Sequence, residues 1–291
     1  MALWTKVDLI ALDRKYAEAG VSPHQRPMRA AADLLGGAFS LGSFANPEVK
    51  AITDAYRGLF PEVEQTWPGA GIGLIASVDQ VRKFRLGAAF GRVSVPIWRG
   101  VGFDSLASWE AWCRHDSEIA AETALALADV HDFSSGVEIV SQQNAESAKR
   151  WHMAASNLSD VANVLPTTFS VDSVLQPICL VVELSLKASL LVLGQDLRGH
   201  KLPTLAEALA GLRPHRDDVV IKDALSAFPN YVGSRYEPEG RSRYQVVRLA
   251  LAAQFIAASS VRRISPVDMA FVMEEDTWPG PRRKFLPTSQ G

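Results

Sequence analysis

The chain has 291 residues, of which 30 are basic and 32 acidic, giving a formal net charge of -2. That near-balance exerts no global pull toward nucleic acid or an anionic membrane, so any polyanion must be met by a local patch. The length accommodates two ordinary domains with self-sufficient cores, and the only cysteines, Cys113 and Cys179, sit in apolar helix-like stretches, which fits reduced core thiols of a cytoplasmic protein.

The opening segment, MALWTKVDLIALDRKYAEAG, lacks the ordered basic head, apolar core and small-residue cleavage site of a secretion signal. Residues 1–141 mix short helices with Gly- and Pro-rich turns and read as one mainly helical module. Asn46 before Pro47 predicts an N-cap and a first-turn proline, with Val49, Ile52, Tyr56 and Leu59 on one face until Pro61. Ser77 and Gln80 make a capping-box pattern that predicts a second helix carrying Val81 and Phe84. The glycines Gly69, Gly71 and Gly73 read as a flexible turn, lacking the strand and Lys-Ser/Thr ending of a phosphate-binding loop. The alternation of Val93, Val95 and Ile97 suggests one short strand or an extended segment, and a longer helix with Trp109 and Trp112 near its start is expected over about residues 105–129.

From about residue 142 the pattern changes to long periodic helices, and a domain boundary is placed there. Ala148, Trp151, Ala155, Leu158, Val161 and Leu165 keep one apolar stripe until Pro166. The most apolar run, residues 178–193, is interrupted by Glu183 and Lys187, whereas a membrane span needs about 20 residues with few charges, so a buried central helix is expected. Gly194 falls where a helix C-cap belongs, Thr204 and Glu207 form another capping-box pattern, and Leu202, Leu205, Leu209 and Leu212 give the next stripe. A polar stretch leads to a last helix whose face is Val247, Leu251, Phe255 and Ala258. Residues 265–291, with acidic Glu274, Glu275 and Asp276 before basic Arg282, Arg283 and Lys284, read as an irregular tail on the surface or partly disordered.

Residues 147–264 resemble HEPN domains, the four- to five-helix bundles named for nucleotide binding in higher eukaryotes and prokaryotes. The resemblance runs through Glu183, Leu184, Leu186 and Lys187 in ELSLKASLLVLG, then His200 and Leu202 in RGHKLPTLAEAL, then Tyr231, Arg235, Tyr236 and Pro238 in FPNYVGSRYEP. It implies a mostly α fold: a C-terminal four- to five-helix HEPN-like bundle over residues 142–264 behind the N-terminal module. It also implies a homodimer that binds a nucleotide, RNA or protein partner, as accessory proteins of bacterial defence or stress response do. HEPN nucleases place a histidine four to six residues after an arginine, for proton transfer and for stabilising phosphate charge. None of His24, His115, His131, His152, His200 and His215 has an arginine at that upstream spacing, so a binding role without nuclease activity is expected. The alternative is a diverged metal-independent ribonuclease that uses Arg235, Arg241 or Arg243 with His200 across a dimer.

The candidate ligand-binding residues are therefore Glu183, Lys187, His200, Arg235, Tyr236, Arg241 and Arg243. Glu183 and Lys187, four apart, read first as a structural ion pair hydrating an apolar helix and second as the rim of a phosphate pocket. His200 reads first as a structural imidazole at a helix entry. Arg235, Arg241, Arg243 and Arg248, interleaved with Tyr236 and Tyr244, form a basic and aromatic mixture able to hold phosphate and stack a base, diluted by Glu237 and Glu239. A third reading, a metal-dependent hydrolase, rests on the dipeptides His115-Asp116 and His131-Asp132, which flank the Trp109 helix but offer no i, i+4 histidine pair. No cofactor and no metal ligand set is expected, and no nucleophile motif is present.

Overall fold

The computed structural model describes residues 4–21, 23–39, 46–61, 71–87, 95–229, 240–275 and 279–282. It is mostly helical, with twelve α-helices and one two-stranded sheet among the described residues. The chain divides into two compact units, residues 1–70 with 87–93, and residues 71–86 with 94–291.

The first unit contains α1 (Lys6–Glu18), α2 (Arg26–Leu35) and α3 (Pro47–Leu59). Thr5 and Asp8 close a capping box at α1, and Asn46 caps α3 through the Glu48 N–H with Pro47 in its first turn, as the sequence predicts. Val49, Ile52 and Tyr56 of α3 pack against Leu9, Tyr16, Ala30 and Ala31. Tyr56 and Arg26 both donate to Asp13, and Tyr16 donates to Asp33, so this small core carries its own polar fastening.

The second unit opens with β1 (Ile72–Ser77) and β2 (Gln80–Arg85), an antiparallel hairpin with Ser77 opposite Gln80. The capping-box pattern therefore belongs to a two-residue turn at Val78 and Asp79, not to a helix start. Gly71 and Gly73 are likewise not a flexible turn. A Cβ on Gly73 would lie 2.1 Å from Val130 Cγ2 and 2.7 Å from Gln254 Oε1, so the strand needs glycine to approach the helices closely. Ile97 begins α4 (Ile97–Gly100) rather than a strand, and Val93 and Gly69 lie outside the described residues.

The helix expected over 105–129 is two helices, α5 (Leu106–Trp112) and α6 (Ser117–Val140). Arg114 and His115 turn the corner between them at φ 60° and 55°. Asp116 caps α6 through the Glu118 N–H. Trp109 is buried with Phe84, Phe103 and Leu127 in the core, and Cys113 lies in the same cluster.

The remaining helices are α7 (Ala145–Val164), α8 (Asp172–Val192), α9 (Leu202–Leu212), α10 (Asp218–Leu225), α11 (Arg243–Arg262) and α12 (Met269–Glu275). α7 and α8 run antiparallel, since Arg150 near the start of α7 pairs with Asp196 just beyond α8 at 2.9 Å. The predicted α7 stripe holds: Trp151, Leu158, Val161 and Leu165 are buried. Gly194, at φ 84°, ends α8 in a Schellman motif, with Gly194 N–H to Leu191 O and Gln195 N–H to Leu190 O. α9 starts two residues before the expected capping box, with Pro203 in its first turn and Thr204 already helical.

α11 is the central helix. Every residue from Val246 to Arg262 is buried, and it packs on α6, α8 and β1. α8 and α11 are long and apolar enough to cross a membrane, yet both are largely buried inside this helical core. The division of the chain falls at Gly71 and not at residue 142. α6 lies in the same core as α11, and only the short turn Ser141–Gln143 separates it from the Asn144 cap of α7.

Candidate functional site

Glu183 sits in the middle of α8 and is 4% exposed. Burying a carboxylate is costly unless it is paired and hydrogen-bonded, and two basic side chains answer it. Lys187, one turn on, donates from Nζ to Glu183 Oε1 at 2.7 Å. His200, returning on the loop between α8 and α9, places Nδ1 3.0 Å and 3.1 Å from the two carboxylate oxygens. The sequence reading of Glu183 and Lys187 as a structural ion pair holds, but the pair hydrates the helix less than expected, since Glu183 is buried and Lys187 half-buried, and its third member, His200, was not anticipated.

An ionised carboxylate only accepts hydrogen bonds, so the His200 nitrogen facing it carries the proton. In the neutral imidazole the lone pair then lies on Nε2, and the ring, 56% exposed, is held in one orientation. A carboxylate that fixes tautomer and ring direction is the arrangement that acid–base and ligand-orienting histidines require. The same loop presents exposed Arg198 and Lys201, whereas its acid, Asp196, is neutralised by Arg150. The edge around His200 is therefore locally cationic on a chain that is slightly acidic overall.

The other candidates do not gather there. Arg243, in the first turn of α11, donates to the carbonyls of Asp79, Leu165, Pro166 and Thr168. It ties the hairpin turn to the end of α7, at the level where α8 begins. Eleven residues separate that level from Glu183, about 16 Å along the helix at 1.5 Å per residue. Arg241 donates to the Ala227 carbonyl at 2.9 Å. Arg248 forms a bidentate pair with Glu122 at 2.7 and 2.8 Å. Arg241, Arg243 and Arg248 are thus fastenings within this chain, not a shared phosphate patch. Tyr231, Arg235, Tyr236 and Pro238 lie outside the described residues.

The His-Asp dipeptides do not converge either. Asp116 caps the start of α6 and His131 lies 15 residues further on, about 22 Å along the helix. Among the described residues no group of three or more His, Cys, Asp or Glu side chains is placed to hold a metal ion.

What sequence reading missed is a buried ionic network. Arg262, whose side chain is fully buried, donates Nη2 to Asp129 at 2.7 Å and Nε to Asp132 at 2.8 Å, with Asp217 at 3.7 Å. His131 Nδ1 lies 3.0 Å from Asp132, and His215 Nδ1 lies 3.3 Å from Asp217. Burial favours the neutral acids, but the His131 hydrogen bond, Arg262 and the N–H groups of Ala270 and Met269 outweigh it and hold Asp132 below the usual carboxylate range. Asp217 is depressed in the same way, against burial, by His215 and Arg262. Burial disfavours the charged guanidinium of Arg262, yet Asp129, Asp132 and Asp217 together raise its pKa. Burial also pushes the Cys113 thiol up to about 11, which removes it as a nucleophile at neutral pH.

Comparison of the chain with protein-family models, with curated proteins and with solved structures returned no match.

Proposed function

We propose that this chain is a HEPN-like cytoplasmic accessory protein that forms a homodimer and binds a nucleotide or RNA at the edge where α8 meets the loop before α9, without cleaving it. The observation that carries the reading is the single buried carboxylate of Glu183 holding both Lys187 and His200, beside exposed Arg198 and Lys201. Lys187 and Glu183 neutralise each other, so the outward charge of this edge comes from Arg198, Lys201 and, when protonated, His200. Phosphate oxygens are the natural complement to that charge and to an oriented imidazole. The occupation of Arg243 by main-chain carbonyls supports the non-nuclease form of the reading, because the guanidinium is spent within the chain.

One observation favours the second reading, a diverged metal-independent ribonuclease. An imidazole oriented by a buried carboxylate is what proton transfer to or from a ribose hydroxyl needs.

Fluorescence polarisation with a labelled RNA oligonucleotide and with a labelled nucleotide, at low and moderate salt, tests the proposal on the full chain. Binding that weakens severalfold in Arg198→Ala and Lys201→Ala, with a shallower salt dependence, supports it. Absence of binding at low salt rejects it. RNA cleavage in chelator that is lost in His200→Ala replaces it with the ribonuclease. Light scattering that returns a monomer removes the dimer.

A further inference from the structure

We propose that the outer face of α7 is a self-recognition surface: a second copy of this chain lies against it antiparallel, with Met153 of each copy on Val164 of the other. The proposal rests on the homodimer of the preceding reading and names its interface.

Met153, Asn157, Asp160 and Val164 follow one another at spacings of four, three and four residues, so they share one stripe of the helix. Met153, Asp160 and Val164 are exposed, the two apolar ones at 55% and 42%, while Trp151, Leu158 and Val161 of the inner face are spent on the core. The stripe reads the same from either end: apolar, polar, polar, apolar. A twofold axis midway between Asn157 and Asp160 sets Met153 opposite Val164 of the other copy and Asn157 opposite its Asp160. That self-matching is what a closed twofold interface requires. Asn157 donates from Nδ2 to the Met153 carbonyl at 2.8 Å, and its second N–H suits the carboxylate that the other copy brings.

The ends match as well. Phe169, 107% exposed, lies five residues beyond Val164, and Ala148 lies five before Met153. The loop that carries Phe169 is fixed, since Arg243 holds the carbonyls of Leu165, Pro166 and Thr168. In the antiparallel pair this loop meets the first turns of the other α7, where exposed Ala145 and half-buried Ala148 leave room for a ring. Lys149 on this face is already paired with Glu146, which suits the face to a second copy better than to a polyanion. A rival exposed pair, Phe271 and Val272, stands on α12, which forms where an irregular tail was expected because Asp132 caps it. There the Arg216 guanidinium of the same chain already lies 5.0 Å from the Phe271 ring. One helix pair is at the small end of stable interfaces, so the dimer should come apart on dilution.

Light scattering and mild-oxidation cross-linking of the full chain test this. At about 100 μM the unmodified protein should be a dimer. Met153→Glu, at an exposed position that leaves the core alone, should weaken it about tenfold or more. Adding Val164→Lys to Met153→Glu sets opposite charges face to face across the axis and should restore it. Met153→Cys combined with Val164→Cys should cross-link two copies, the native Cys113 and Cys179 being buried. Either cysteine substitution alone should not, because like positions of the two copies lie about 16 Å apart. A monomer at that concentration overturns the proposal together with the dimer of the preceding reading. A dimer that Met153→Glu leaves intact, or that cross-links through either single substitution, overturns this interface alone.

Discussion

Gln254, fully buried near the middle of α11, pairs its side-chain amide with the main chain of Leu74 in β1. Its Oε1 accepts the Leu74 N–H at 2.9 Å, and its Nε2 donates to the Leu74 carbonyl at 3.3 Å. A helix side chain thus completes the outer edge of a two-stranded sheet and hands its second N–H to the Ala126 carbonyl of α6 at 3.1 Å. The hairpin, α6 and α11 meet at this one amide. Replacing Gln254 with Leu strands the N–H and C=O of Leu74, and buried unpaired groups cost about 1–3 kcal/mol each. We expect Gln254→Leu to lower stability by about 2–4 kcal/mol in urea unfolding. A loss below about 0.5 kcal/mol, the level of an ordinary surface change, would show that the amide is dispensable.

The same residue explains where sequence reading succeeded and where it stopped. The α7 stripe and its end at Pro166 were legible because a helix stripe is a local periodicity, and so were the Asn46 cap and the Gly194 stop. Ser77 to Gln80 was misread because a capping-box spacing and a two-residue hairpin turn use the same residues. The support that the hairpin receives from Gln254, 180 positions from Leu74, leaves no local signal. At the candidate site the i, i+4 partner Lys187 was legible, whereas His200, 17 residues from Glu183, depends on how the loop returns. The ionic network left one faint trace, namely Asp129, Asp132 and Arg262 standing inside apolar runs where a charge must have a partner.

Arg262 is the keystone of that network, and its removal leaves Asp129, Asp132 and Asp217 short of positive charge in the core. Breaking a buried pair from one side costs about 3–5 kcal/mol, and we expect that loss in Arg262→Met at pH 7. The pH dependence follows from the depressed pKa values of Asp132 and Asp217. A carboxylate held below its unfolded value contributes its full stability above about pH 4 and loses it as pH falls through the folded value. Stability of the unmodified protein should therefore drop below about pH 4, and the gap to Arg262→Met should narrow there. Thermal unfolding at pH 7, 5 and 3 reads both, and a gap that stays constant to pH 3 would count against the assignment.

Val78 holds φ 62° at the first position of the hairpin turn and is 43% exposed. A β-branched side chain there crowds the backbone at a cost of about 1–2 kcal/mol, and hairpin turns with a positive φ at this position take glycine instead. Glycine would relieve the strain while giving back about 0.5–1 kcal/mol through the greater freedom of the unfolded chain. The relief is the larger quantity, so Val78→Gly should stabilise the protein by about 0.5–1 kcal/mol. The turn is also gripped from outside, by Arg114 Nε on Ser77 Oγ at 3.2 Å and by Arg243 Nε on the Asp79 carbonyl at 3.1 Å. If those two arginines impose the strained conformation, Arg243→Ala should erase the advantage of Val78→Gly in a double-mutant cycle, because a released turn relaxes without the substitution. Urea midpoints of the four proteins measure the coupling, and strict additivity would show that the hairpin itself, and not its arginine clamps, holds Val78 in place.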